Sequence, residues 1–149
     1  MIKIKLRMIN KKNKFIKVPN YATLGSAAMD LQASITNDTI IKPNEVILIG
    51  TGISIYIENE NYAGIVLPRS GIGHKNGIVL GNLTGLIDSD YQGEIKISCW
   101  NRSIHEYVIS PGDRIAQLMV IKVNRVKFDI VESFKSTQRS DMGFGHTGR

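Results

Sequence analysis

Between Gly81 and Glu94 the chain reads Gly-Asn-Leu-Thr-Gly-Leu-Ile-Asp-Ser-Asp-Tyr-Gln-Gly-Glu, and the residue there best suited to chemistry is Asp88. Gly81, Gly85 and Gly93 punctuate a turn-rich hairpin, Asp88 follows the apolar pair Leu86-Ile87, and Tyr91 comes three residues later. A carboxylate at the edge of a partly buried hairpin can be kept dry enough to act as a general base. Bare glycine backbone lets a flat ligand approach the main chain closely. Arg69-Ser70-Gly71 offers a guanidinium fork, a hydroxyl and an unobstructed amide in consecutive positions. Those groups suit a dense anion such as a nucleoside triphosphate, although the tripeptide alone reads more readily as a surface turn. Gln117 stands among Ile115, Ala116, Leu118 and Met119, so its amide needs a partner. Either a cross-strand hydrogen bond or a ligand would serve.

The elements that must position these groups read as strands. Val46–Ile49, Ile53–Ile57, Ala63–Leu67, Glu94–Trp100, Tyr107–Ile109 and Ile115–Val123 are short, apolar or alternating runs. Pro43-Asn44, Gly50-Thr51-Gly52, Glu60-Asn61 and Pro111-Gly112-Asp113 between them carry turn residues. Ile2, Ile4, Leu6 and Met8 alternate with Lys3, Lys5 and Arg7, which predicts a first strand with a solvated basic face. The only helical candidate covers Ser70 to Lys75, and its two glycines argue for little more than a turn. This spacing predicts an all-β, jelly-roll-like sandwich or barrel. The text changes after Ser133. We expect a β domain over residues 1–135 and, over 136–149, a flexible arm in which Gly143, Gly145 and Gly148 make ordering costly.

Composition closes several function classes. A 149-residue chain with 42% hydrophobic content suits one globular domain, and no apolar run approaches the ~20 residues that span a bilayer. The net charge of +6 invites nucleic acid, but seven of the 19 basic residues fall in the first 17 positions. No aromatic-interleaved basic stripe accompanies them. Their strand period also argues against a transit peptide. Cys99, the single cysteine, alternates with Ile95 and Ile97 as a buried strand residue and fits a reducing cytosol. Asp88-Ser89-Asp90 opens like a calcium loop but meets Gln92 and Cys99 where ligands belong. Gly143 to Gly148 satisfies G-x-G-x-x-G without the strand–helix context a dinucleotide fold requires. His74, His105 and His146 lack zinc spacing, and no nucleophile elbow surrounds Ser70.

Five segments in order, Ala28-Met29-Asp30-Leu31-Gln32-Ala33, Pro68 to Gly73, Gly81 to Glu94, Pro111 to Leu118 and Arg139 to Arg149, resemble the motifs of the bacterial-type homotrimeric dUTPases. Ala28 stands where that family usually has glycine, and Asp141-Met142 replaces a more glycine-rich or acidic pair. The resemblance implies a cytoplasmic, Mg2+-assisted hydrolase that converts dUTP to dUMP and pyrophosphate. Such an enzyme limits uracil incorporation into DNA and supplies dUMP. It also implies a homotrimer with sites shared between neighbours and no membrane or specific nucleic-acid partner. By the same resemblance Asp88 activates water. Arg69, Ser70, Gly71 and Gln117 hold phosphates, Asn82, Leu86, Ile87 and neighbouring main chain read uracil, and Tyr91 packs under deoxyribose. Lys96 touches the nucleotide, Arg139 holds the γ-phosphate, Phe144 stacks on uracil beside Gly145, and Asp30 reaches the metal through water. A dCTP deaminase of the same fold, for which Glu94 is the available acid, and a non-catalytic nucleotide- or nucleic-acid-binding relative are the alternatives.

Overall fold

In the computed structural model, which describes residues 2–11 and 13–143, the alternation read from the sequence between Glu94 and Trp100 becomes a strand. Lys96–Asn101 buries Ile97, Cys99 and Asn101 and turns Lys96, Ser98 and Trp100 outward, the period of two expected of a half-buried strand. Burying each such isoleucine contributes about 2–3 kcal/mol relative to exposure.

The order is β1 (Lys5–Met8), β2 (Met29–Gln32), β3 (Thr39–Ile41), β4 (Val46–Gly50), β5 (Ile53–Tyr56), β6 (Tyr62–Leu67), α1 (Ser70–Asn76), β7 (Ile78–Leu80), β8 (Gly85–Ile87), β9 (Lys96–Asn101), β10 (Tyr107–Ile109) and β11 (Arg114–Lys122). The fold is all-β and jelly-roll-like. Antiparallel pairing gives a four-stranded sheet β2-β11-β6-β8, a three-stranded sheet β4-β9-β7, and the ribbons β1-β5 and β3-β10. The core between them is isoleucine-rich, centred on Ile41, Ile53, Ile95, Ile97 and Ile109 with Leu31 and Ala116.

One buried polar residue ties the sheets at their edge. Asn101 is wholly buried; its Nδ2 donates to the carbonyls of Ile41 (2.9 Å) and His105 (2.7 Å), and its Oδ1 accepts from Ser103 N–H (3.0 Å) and hydroxyl (2.8 Å). Every hydrogen-bonding group of that amide is used or nearly so, which is what burial demands.

The hairpin expected at Gly81–Glu94 has β7 and β9 as its base, paired at Leu80↔Cys99. Its wide loop carries β8, which pairs with β6 instead of returning along β9. In β11 the register slips between Arg114 and Ala116. That bulge lets both Ile115 and Ala116 face the core and leaves Gln117 on the opposite face. The helix runs two turns, Ser70–Asn76, and stops at Gly77 in the left-handed conformation (φ 71°), whose N–H donates to Ile72 O.

Candidate active site

A cavity of about 380 Å³ opens beneath the hairpin. Asn82, Leu86, Ile87, Asp88, Tyr91 and Lys96, named from the sequence, all line it. Leu48, Glu94 and Ser98, not named as ligands there, line it as well. The main chain lies close because Gly81 has no room for more: a Cβ would stand 2.7 Å from Ser98 Oγ and 2.9 Å from Val46 Cγ1. Asp88 sits just beyond β8 at the start of a turn closed by Tyr91 N–H on Asp88 O (3.2 Å). Its side chain is exposed in the chain, so the dry setting expected of a general base is not built by the hairpin alone. Glu94, the acid on which a deaminase reading would depend, is engaged instead: its Oε1 accepts Gly52 N–H at 2.9 Å.

A second group gathers on the four-stranded sheet. β11 lies between β2 and β6, with Gln117 opposite Asp30 on one side and Leu67 on the other. Directly paired residues share a face, so the chain leaving Leu67 carries Arg69 toward Asp30. Arg69 Nε donates to Asp30 Oδ1 at 2.7 Å, and an Arg114 terminal nitrogen donates to Asp30 Oδ2 at 3.1 Å. One carboxylate thus aligns two guanidiniums. Arg69 keeps outer N–H groups for an anion, while Arg114 is more than half exposed. Arg114 was not named as a site residue from the sequence, although it lies in the Pro111–Leu118 segment and precedes the strand that holds Gln117. Gln117 Nε2 donates to Pro68 O at 2.9 Å, across to the chain leaving the neighbouring β6. One amide hydrogen and the amide oxygen remain available. Ser70 and Gly71 open α1, where amides lack intrahelical partners, and a Cβ on Gly71 would meet nothing within 4 Å. Burial raises the nearby Tyr107 phenol's pKa, helped by Asp113 and opposed by Arg69.

The two groups do not meet within the chain. Ile87 pairs with Gly64, so Asp88 is level with the start of β6, whereas Arg69 lies beyond its other end. At ~3.3 Å per residue that separation is about 15–20 Å. Beyond Val123, residues 124–143 are all exposed. Arg139 lies among them in a local turn, its Nε donating to Met142 O at 3.1 Å. Phe144 and Gly145 lie outside the described residues. Among the described residues no cluster of three or more His, Cys, Asp or Glu could cage a metal, and no helix is long and apolar enough to cross a membrane.

A profile of the dUTPase family matches residues 14–148. The deoxyuridine 5'-triphosphate nucleotidohydrolase of Idiomarina loihiensis is 59% identical over 134 residues, 90% of this chain and 89% of that protein. The Staphylococcus bacteriophage 80alpha dUTPase with dUPNHPP matches with a TM-score of 0.86 and 23% identity, covering 100% of both chains. A mutant dUTPase from phage phi11 of S. aureus, described for the coordination of a structural Mg(II) ion, matches with a TM-score of 0.78 and 23% identity over 90% of this chain and 99% of that one. At those identities the two phage structures speak for the fold alone.

Proposed function

The chain belongs to the dUTPase family, and from that premise we infer that it is a dUTP nucleotidohydrolase, converting dUTP to dUMP and pyrophosphate. The observation that carries this reading is the hairpin cavity lined by Asn82, Asp88 and Tyr91. It brings an amide, a carboxylate and a tyrosine ring to the wall of one cavity. Glu94's engagement with Gly52 N–H weighs against the deaminase alternative.

In this reading Asn82 and the surrounding main chain meet the uracil edge, where cytosine's amino group would leave a buried mismatch. Leu86 and Ile87 wall the cavity, Tyr91 packs under deoxyribose, and Lys96 borders the nucleotide. Arg69, Ser70, Gly71 and Gln117 take the phosphates. Asp88 accepts a proton from the water whose oxygen bonds to the α-phosphorus as the α–β bridging bond breaks and pyrophosphate departs. Base catalysis contributes only ~10²–10⁴-fold, so charge neutralisation by Arg69 and its Asp30-aligned neighbour Arg114 carries much of the rest. A magnesium ion carried by the triphosphate would supply further charge neutralisation there, held mainly by the phosphates and water and by Asp30 through water. Asp30, with both oxygens already accepting from arginine, would contribute through water. Arg139, Phe144 and Gly145 close the arm on the γ-phosphate and uracil.

The β6 register supports a site shared between subunits of a cytoplasmic homotrimer: a neighbour's Arg69 group can face a hairpin that its own chain cannot reach. The exposed run from 124 to 143 is the segment available to cross between copies. Incubating purified protein and Mg2+ with dUTP, dCTP and single-stranded DNA tests the function. Pyrophosphate from dUTP alone supports it; ammonia from dCTP, or no turnover with any nucleotide, refutes it.

A further inference from the structure

The net positive charge of the chain is confined to its start. The first 17 residues hold seven of the 19 basic residues and no acid, which leaves twelve basic residues against thirteen acids in the rest. Strand β1 engages two of those cations: Lys5 Nζ pairs with Glu58 at 2.7 Å, and Arg7 Nε donates to Ser54 Oγ at 3.2 Å. Lys11, Lys14 and Lys17 follow on a strap that is tied to the body. Ile9 N–H donates to Gly52 O (2.7 Å), Asn13 Nδ2 to Ile35 O (3.3 Å) and Lys17 N–H to Gln32 Oε1 (3.0 Å), and Ile16 is buried. All three lysines are exposed, and they enter no ion pair among the described residues. Phe15 stands among them, 56% exposed on a fixed backbone. Its N–H donates to Asn13 Oδ1 at 3.1 Å, and it packs on Gly112, where an added Cβ would stand 2.9 Å from Phe15 Cβ. The ring borders a hollow of about 350 Å³ that Asn10, Asn13, Lys14 and Ile35 also line. None of these residues lines the hairpin cavity.

We propose that this strap is a second binding site, separate from the hairpin cavity, for single-stranded nucleic acid without regard to sequence. Lys11, Lys14 and Lys17 meet phosphates, and Phe15 stacks on a base beside them. A row of unpaired lysines gains most from a ligand with repeated phosphates, because each contact releases counterions. The sequence carries no aromatic stripe among its lysines, and one half-exposed ring between Lys14 and Lys17 takes its place. Stacking on that ring requires an unpaired base, which favours a single strand over a duplex. An anionic membrane would call for an amphipathic helix with a broad apolar face. The strap is not helical, and its Ile16 is turned into the core. Nothing in this site depends on dUTP hydrolysis.

The test titrates the full-length protein into a fluorescein-labelled DNA strand of mixed sequence, about 20 nucleotides long, and reads anisotropy from about 20 to 200 mM NaCl. For wild type, log Kd should rise linearly with log salt. The triple variant Lys11→Gln, Lys14→Gln, Lys17→Gln should lower that slope by about two, from three contacts at ~0.7 each on a single strand. Phe15→Ala should weaken single-strand binding about fivefold or more at an unchanged slope, and duplex binding by less than about twofold. Phe15→Leu keeps apolar packing on Gly112 but loses the flat face, so it should show the same loss while thermal unfolding stays that of wild type. Excess dUPNHPP, a probe for the hairpin cavity, should leave the anisotropy unchanged. Competition by dUPNHPP would place the strand in that cavity and overturn the proposal. So would a wild-type slope in the triple variant, or wild-type affinity in Phe15→Leu. Tighter binding to phosphatidylglycerol vesicles than to the DNA strand would assign the strap to a membrane surface and overturn it as well.

Discussion

If Asp88 of one subunit works with Arg69 of the next, two crippled proteins should repair each other. Asp88→Asn removes the base and should cost ~10²-fold or more in kcat while leaving nucleotide binding. Arg69→Ala removes a charge-assisted phosphate contact of ~1.5–3 kcal/mol, about 10- to 150-fold. The register of β6 puts these positions about 15–20 Å apart in one chain, too far to act on one phosphorus. When equal amounts of the two variants are unfolded together and refolded, each site draws its hairpin and its Arg69 from separate chains. The chance that both are intact is one half times one half, so about a quarter of wild-type activity should return in a cyclic assembly. Pyrophosphate release measures it, and native mass spectrometry counts the mixed assemblies. Mixed assemblies whose activity equals the mean of the two parents would show that each chain builds its own site and would refute the shared one.

Other outcomes follow from single features. Truncation before Arg139 should leave a folded assembly with normal thermal unfolding but cut dUTP turnover by at least about tenfold, the worth of one Arg–phosphate bond; unchanged turnover would remove the arm from the site. Asn101→Ala deletes the four hydrogen bonds of a wholly buried amide and should destabilise by about 3–4 kcal/mol in urea titration at fixed protein concentration, a loss below about 1 kcal/mol being contrary. Burial pushes the Cys99 thiol from 9.0 up to about 12. Its raised folded pKa makes its contribution to stability full below the unfolded value and eroded as pH rises toward the folded one. Cys99 should therefore resist a disulfide reagent at pH 8 until urea unfolds the chain, and prompt reaction of folded protein would contradict this burial.

What could be read from the sequence depended on length of pattern. β9, β6 and β11 declared themselves by several alternating or apolar residues each. β3 and β7 are three residues long and went unread, whereas β10, equally short, was legible as Tyr107-Val108-Ile109 just before the Pro111-Gly112 turn. The helix was expected to be hardly more than a turn because of Gly71 and Gly73, yet Gly77 supplies a left-handed stop that lets two turns close. Gln117 was left between a cross-strand hydrogen bond and a ligand, and Pro68 O, just past β6, answers the first without using up the amide. Asp30, Arg69 and Arg114 are far apart in sequence, so the shared carboxylate emerges only from the β2-β11-β6 order. Likewise nothing in the hairpin's residues revealed that β8 pairs with β6, the fact that separates Asp88 from Arg69.

The run beyond β11 has a bearing on the life of the chain outside catalysis. Val126, Phe128 and Ile130 present alternate apolar side chains to solvent, the last two 86% and 94% exposed, and Phe134 follows at 92%. A segment of that pattern is adhesive until a partner covers it. If the proposed homotrimer covers this run, dilution below its association threshold should do more than idle the enzyme. It should leave subunits that stick to surfaces and to one another, so that survival in a dilute stock depends on protein concentration as much as on temperature.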